Sequence, residues 1–307
     1  MHAASDYPTV DGVAILSLDN PPVNSLSGAQ RGRLGAMLQH AAARSDVQAI
    51  VITGKGGTFC GGADVREFNT PAQRMSPIMP ELIEGCDKID KVVVAAIEGF
   101  AYGAGLELAL ALHYRVAGAE SKLGLPEVKF GFLPGAGGTQ RLPRLVPMDK
   151  AADMMLSGAA VTAEEAHQLG LVDAIFEGDV LSAAVDFARS KVGQLRRTRD
   201  LPARVDALAP GYLAKLRDKV EAGAQGNIAK LHIVDCCAAA VGQPFDQGLA
   251  YERERFLAML GTPESKALRH VFFAERQAAK ISRLGADVKP RPVQSAAVIG
   301  AGTMGSG

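Results

Sequence analysis

Three stretches of this 307-residue chain combine glycines and acidic residues in ways that suit chemistry. "FCGGAD", Phe59 to Asp64, follows the continuous apolar run Ala49 to Thr53. Gly61 and Gly62 strip side chains from the end of that strand, so a ligand can approach the backbone and the Ala63 N–H can point outward. The same residues also suit a strand-to-helix turn that simply packs tightly. "GFAYGAGLELALALHY" sets Gly103, Ala104 and Gly105 before a helix that is apolar almost all round, which marks it as central in a core. Glu107 sits in its first turn, where a lone carboxylate is costly unless hydrogen-bonded or paired. It either caps its own helix at a surface or is a retained functional acid. The N–H groups of that first turn, with the helix dipole behind them, face anything negative.

The third stretch is "LGLPEVKFGFLPGAGGTQRLPRLV". Glu127 follows Pro126 among apolar residues, ahead of Gly131, Pro134, Gly135, Gly137 and Gly138. Taken alone it is a functional acid or an ordinary surface glutamate. G-A-G-G looks like a phosphate loop but lacks the Lys-Ser/Thr of one. Together, two outward backbone donors and two carboxylates suit one kind of reaction. Donors stabilise an oxyanion developing on a carbonyl, and paired carboxylates move protons to and from water and carbon. Adding water across a double bond conjugated to a thioester needs both.

The elements that must hold these residues follow a repeating plan. "VAILSLDNPPVNSLS" predicts a strand, a Pro-Pro turn and a helix from Gly28 to Arg44 capped by Ser27. Ala49 to Thr53 and Val92 to Ile97 suit strands buried on both faces of a parallel sheet, the second followed by a glycine loop and a helix from Leu106. Then come a helix ending at Gly158, a short helix from Thr162 with Glu165 at the capping-box position, and another strand. Strand, glycine loop and helix in alternation predict an α/β fold with parallel strands. After Pro202 the β-branched runs stop, and 203–223, 227–241, 245–260 and 263–283 read as amphipathic helices. "RRTRD" at 196–200 reads as a solvated helix end, and His113 as a packed core histidine. Residues 285–294, with two prolines, read as a linker.

Composition narrows the function. Thirty-three basic residues balance thirty-three acidic ones, so no overall field favours nucleic acid or an anionic membrane. The most apolar stretch, Val92 to Leu112, is interrupted by Glu98 and Glu107 and reads as core rather than a membrane span. The N-terminus lacks a signal-peptide pattern. The four cysteines show no metal spacing and read as reduced thiols, so no metal is expected and the compartment is read as cytoplasmic. "SAAVIGAGTMGSG" at 295–307 reads as a short buried strand entering a G-x-G-x-x-G turn. That is the opening of a dinucleotide-binding domain without the helix and later acidic residue such a site needs.

"LSLDNPPVNSLS", "TGKGGTFCGGADVREF", "IEGFAYGAGLELALALHYRVA" and the Glu127 stretch, in this order, resemble the enoyl-CoA hydratase/isomerase (crotonase) superfamily over residues 10–190. "ESKALRHVFFAERQAAK", the proline linker and "AAVIGAGTMGSG" resemble the junction of multifunctional β-oxidation enzymes, where a hydratase portion precedes a 3-hydroxyacyl-CoA dehydrogenase. The resemblance implies a spiral of repeated ββα units. It divides the chain into a core at 1–200, a helical region packing on it at 201–284, the linker at 285–294 and a truncated NAD-binding start at 295–307. It implies that Ala63 and Ala104 supply the oxyanion-hole N–H groups, that Glu107 holds and activates water, and that Glu127 delivers the proton to the α-carbon. The backbone at Gly61 and Gly62 would meet coenzyme A, and Arg66 its phosphates. One position departs from the family pattern: Ala104 stands where the second donor is usually a glycine, keeping the N–H and adding a methyl.

The implied reaction is hydration of 2-trans-enoyl-CoA, with Δ3,Δ2-enoyl-CoA isomerisation in the same site. The alternatives are an enzyme that is chiefly an isomerase and a weakly catalytic acyl-CoA binder. Hydration would need no cofactor, coenzyme A being part of the substrate, and NAD would belong only to a full-length parent. Thiolase or other β-oxidation enzymes are the implied partners, and a peroxisomal address would follow from a eukaryotic parent. Family members often form trimers, whereas fused forms need not.

Overall fold

The structure is a computed structural model and describes residues 4–68, 70–206, 208–223, 227–278 and 291–302. The chain runs through β1 (Thr9–Val10), β2 (Val13–Leu18), α1 (Gly28–Ala43), β3 (Ala49–Gly54), α2 (Met79–Asp87) and β4 (Val92–Ile97). It continues through β5 (Phe100–Tyr102), α3 (Ala104–Ala111), β6 (Tyr114–Gly118), β7 (Lys122–Gly124), α4 (Gly138–Leu145) and α5 (Met148–Ser157). Then follow β8 (Val161–Thr162), α6 (Ala163–Leu169), β9 (Ala174–Phe176) and α7 (Val180–Ser190). Four longer helices come last: α8 (Tyr212–Gly223), α9 (Ile228–Gly242), α10 (Phe245–Leu260) and α11 (Pro263–Ala278).

One sheet has the order β1-β2-β3-β4-β6-β9, parallel throughout except for the β1–β2 pair. Its central strands β3 and β4 are buried at every position because both faces are covered. Ile50, Ile52, Val93 and Ala95 point into the larger core with Leu34, Met37 and Leu106. Ala49, Val51, Val92 and Val94 point the other way, against Ala184, Val185 and Ala188 of α7. Each fully buried Val, Leu or Ile contributes roughly 1.5–3 kcal/mol. A second, smaller sheet stacks β5 on β7 in parallel and β7 on β8 antiparallel. The chain adds a short strand before the next helix in β4-β5-α3 and again in β6-β7-α4, which is the ββα repeat.

The capping signals work as the sequence suggests. The Ser27 hydroxyl accepts from Gln30 N at 3.3 Å, and Thr162 and Glu165 form a reciprocal capping box. Helix α3 begins two residues earlier than expected, because Gly103, at φ +53°, makes the turn out of β5 itself. The helix expected over 203–223 begins only at Tyr212. Arg204 N donates to Pro143 O and Arg204 O accepts from Met148 N, so that segment is tied to the α4–α5 junction, and Pro210 delays the helix further.

"RRTRD" is a strap and not a solvated helix end. Arg196 reaches Asp173 at 2.6 Å, Arg197 reaches Asp90 at 2.7 Å and Arg199 reaches Asp246 at 2.6 Å. His113 is buried as expected, accepting from Val93 N at 3.1 Å, and burial pushes its pKa down to about 4. Helices α8, α9 and α10 pack with α4 and α5 inside one compact unit, Met1–Arg269.

His270–Gly307 forms a second unit. The strand expected at Ser295 to Ile299 does not form: 291–301 have no regular structure, and Val298 and Ile299 are exposed. A strand needs a neighbour for its N–H and C=O groups, and among the described residues none pairs with it. Residues 279–290 and 303–307, which include most of the expected linker and Gly305, lie outside the described residues.

Candidate active site

Two loops meet at the N-terminus of α3. Cys60 N donates to Phe100 O at 3.0 Å and Tyr102 N to Cys60 O at 2.9 Å, so the Cys60 segment bonds along β5 like a further strand. Gly62 lies at φ +106°, and a side chain there would come within 3.0 Å of Tyr102 O and 3.7 Å of Ala104 N. Only a glycine lets the two loops approach so closely. Gly105 is needed for the same reason, since a Cβ would strike the Cys60 side chain at 2.7 Å. Ala63 follows Gly62 directly, and Ala104 is the first residue of α3. The first bond of α3 runs from Glu107 N to Gly103 O at 2.9 Å, leaving the Ala104 N–H ahead of the helical ladder. Among the described residues, neither the Ala63 nor the Ala104 amide donates to a protein acceptor.

Both predicted carboxyls arrive at the same place. Glu127 lies in a short 3-10 turn, Pro126–Phe130, stopped by Gly131 in the left-handed region. Its Oε1 packs 3.0 Å from where a Cβ on Gly103 would stand, next to Ala104. Its Oε2 is buried with no hydrogen-bond partner among the described residues. Glu107 does not cap its own helix. Its Oε1 accepts from Ala136 N at 2.8 Å and Gly138 N at 2.9 Å, at the N-terminus of α4. G-A-G-G is therefore a cradle for protein carboxylates.

The environments of the two acids differ. Burial pushes the Glu127 carboxyl well above the usual carboxylate range, and the charges of Glu107 and Glu252 add to the rise. Glu107 is also raised by burial, but the Ala136 and Gly138 amides, then Arg141 and Arg253, oppose it. Environments that push a pair of acids apart divide them into a proton donor and an ionised base. Glu127 is pushed further above the usual range than Glu107, whose carboxylate is held by two amide donors.

The remaining predicted residues stand differently. Gly61 N donates to Val23 O at 2.7 Å, and a Cβ there would meet the Val23 side chain at 3.0 Å, so the glycine makes room for Val23. Arg66 is exposed, but its fork is already gripped by Asp64, at 2.8 Å from Nε and 2.7 Å from Nη2. A phosphate would have to share it.

Glu252 of α10 is a third buried carboxyl, absent from the sequence-based expectations. It accepts from Gly137 N at 2.6 Å, from Thr139 N at 2.9 Å and from the Thr139 hydroxyl at 2.6 Å. Burial, followed by the charge of Glu107, pushes its pKa up, while the Thr139 hydroxyl and the Gly137 and Thr139 amides pull it back down by donating to the carboxylate. The signal available in the sequence is spacing. Glu252 lies four residues after Gly248 and seven before Met259, the other two buried residues of α10, all on one helical face.

Residues 9–227 match the enoyl-CoA hydratase/isomerase family. The chain is 42% identical over 302 residues to a peroxisomal bifunctional enzyme of Danio rerio, covering 96% of this chain and 42% of that protein. It is 39% identical over 315 residues to the Arabidopsis thaliana peroxisomal fatty acid beta-oxidation multifunctional protein AIM1, covering 97% of this chain and 43% of that one. The chain thus spans less than half the length of these relatives. Among solved structures, EchA1_1 from Mycobacterium paratuberculosis superposes with a TM-score of 0.61 at 27% identity, over 85% of this chain and 92% of that one. The chain belongs to the enoyl-CoA hydratase/isomerase family, and its fold is the crotonase fold.

Proposed function

We propose that this chain hydrates 2-trans-enoyl-CoA to 3-hydroxyacyl-CoA and, in the same site, moves the double bond of 3-enoyl-CoA to the 2-position. The thioester oxygen sits between the N–H groups of Ala63 and Ala104, which take up the charge as the enolate forms. Glu107, ionised, accepts a proton from water as the water oxygen bonds to the β-carbon. Glu127, neutral, gives its proton to the α-carbon. In isomerisation Glu127 starts as the carboxylate: it takes a proton from the α-carbon as the enolate forms between the two amides, then returns that proton to the γ-carbon, so Glu107 is not required. The observation that carries the reading is convergence at one helix terminus: the Gly62 backbone against Ala104 N, and Glu127 Oε1 against Gly103.

Coenzyme A enters along the Gly61–Gly62 backbone, with Arg66 a secondary contact because Asp64 already neutralises it. The buried free thiols support a reducing compartment, either cytoplasm or, as in the names of the relatives, a peroxisome. The G-x-G-x-x-G at 300–305 reads as the opening of an NAD site in a longer parent. Among the described residues, Val298 and Ile299 just before it are exposed. The test is loss of conjugated-thioester absorbance across 2-enoyl-CoA chain lengths, with 3-enoyl isomers run beside them. Turnover of both classes is the expected result. Turnover of 3-enoyl substrates alone would make the chain an isomerase, and turnover of neither an acyl-CoA binder.

A further inference from the structure

We propose that Glu252 is a positioning residue for hydration: from α10 it holds the 136–139 loop in register so that the loop's alternate amides grip Glu107. This rests on the reading of Glu107 as the residue that activates water.

Four successive amides at the start of α4 divide between two carboxylates. Ala136 and Gly138 donate to Glu107 Oε1 at 2.8 and 2.9 Å, and Gly137 and Thr139 donate to Glu252 at 2.6 and 2.9 Å. Interleaved one residue apart, the two sets cannot move separately, so a shift that releases one carboxylate re-aims the other. The loop has little slack. Gly137 stands at φ +102°, and a Cβ there would strike Arg141 Nη1 at 1.9 Å. On α10, a side chain at Gly248 would meet Gln140 Oε1 at 2.2 Å, so α10 lies hard against α4.

The hydrogen-bond polarity shows what Glu252 must be. The Thr139 hydroxyl accepts from Gln140 Nε2 at 2.9 Å and donates to Glu252 Oε2 at 2.6 Å. With the two amides, that makes three donors around one carboxylate that is 1% exposed. Glu252 is the acceptor the loop requires. An isosteric amide would turn one of these pairs into donor facing donor and push the loop away. Removing an acceptor from a buried donor is costly, and the loop's way out is to move. Movement on the order of 1 Å at a group that holds a reacting atom can cost about a hundredfold in rate.

The experiment compares the full chain with Glu252→Gln, Thr139→Val and Glu107→Gln. Hydration of a 2-enoyl-CoA, isomerisation of a 3-enoyl-CoA and Tm are measured for each. For Glu252→Gln the expected result is a roughly 10–100-fold fall in hydration kcat, with KM unchanged and isomerisation largely retained. A purely structural role would instead lower both reactions by the same factor, and that result, or hydration at the parent kcat, overturns the proposal. Thr139→Val removes the hydroxyl, which donates to Glu252 and accepts from Gln140, but leaves both amide donors to Glu252, and it serves if Glu252→Gln does not fold. It is expected to give the same split between reactions at smaller size, and an equal loss in both overturns the proposal. If Glu107→Gln hydrates like the parent, the reading of the site fails and takes this inference with it. If Glu107→Gln is impaired while Glu252→Gln is not, only this inference fails.

Discussion

The N-termini of α3 and α4 begin alike, each after a glycine at positive φ, Gly103 at +53° and Gly137 at +102°. They use their amides in opposite ways. At α3 the Ala104 N–H has no protein acceptor among the described residues, and it lies beside the Gly62 backbone that leads to Ala63. At α4 each of the amides from Ala136 to Thr139 is taken by a buried carboxylate. A helix terminus presents the same partial positive charge in both places. Whether it meets a substrate or a side chain depends on what the neighbouring elements bring to it. The α4 terminus fixes an acid with its donors, and the α3 terminus leaves the Ala104 donor without a protein acceptor among the described residues, as the proposed oxyanion site requires.

Removing the acid at the α3 terminus should have the largest effect. Glu127→Gln leaves the amides in place but takes away the group that carries the proton in both reactions. Hydration and isomerisation should each fall by about 10²–10⁴, read by steady-state assays on 2-enoyl- and 3-enoyl-CoA. Retention of either reaction at the parent rate would break the comparison. Glu107→Gln sharpens it from the α4 side. Hydration should fall within the same range while isomerisation is relatively spared, and parallel losses would show that the two acids do not divide the work.

Ala104→Pro tests the free amide itself. Proline is tolerated at the first position of a helix and lacks only the N–H. The variant should therefore fold with a Tm near that of the parent, yet lose about 10²–10³ in both reactions. Near-parent rates would mean that the α3 amide does not face the thioester.

The smallest effect is on stability. The Glu127 pKa is raised in the folded chain, chiefly by burial. A raised group contributes stability below its unfolded pKa, near 4.3, and that contribution is lost as pH rises through the folded value. Glutamine cannot ionise. The Tm of Glu127→Gln should therefore fall less steeply than the parent's as pH rises above that unfolded value. Parallel slopes would mean that the acid is not shifted.

Most of the sheet was legible in the sequence because unbroken runs such as Ala49 to Thr53 and Val92 to Ile97 have one sensible home, between two covered faces. Ala63, Glu107 and Glu127 stood out as candidates because glycines and carboxylates are out of place in such apolar surroundings, and Ala104 was named through the family resemblance. Glu252 was not. It lies in "YERERF", where charged residues ordinarily mean a solvated face, and its partners Gly137 and Thr139 are 115 and 113 residues away. The helix start at Tyr212 and the arginine strap at 196–199 escaped for the same reason. Arg204, Asp173, Asp90 and Asp246 find their partners only once distant segments have packed. Local pattern carries elements, and long-range hydrogen bonds decide how polar residues inside them are used.

The most direct measurement is the thioester carbonyl stretch of a 2-enoyl-CoA labelled at that carbonyl, bound to Glu107→Gln so that it persists unhydrated. If the Ala63 and Ala104 amides converge on its oxygen, the band shifts to lower frequency than in water, and Ala104→Pro in the same background removes much of the shift. A bound carbonyl that absorbs where the free thioester does would contradict the account.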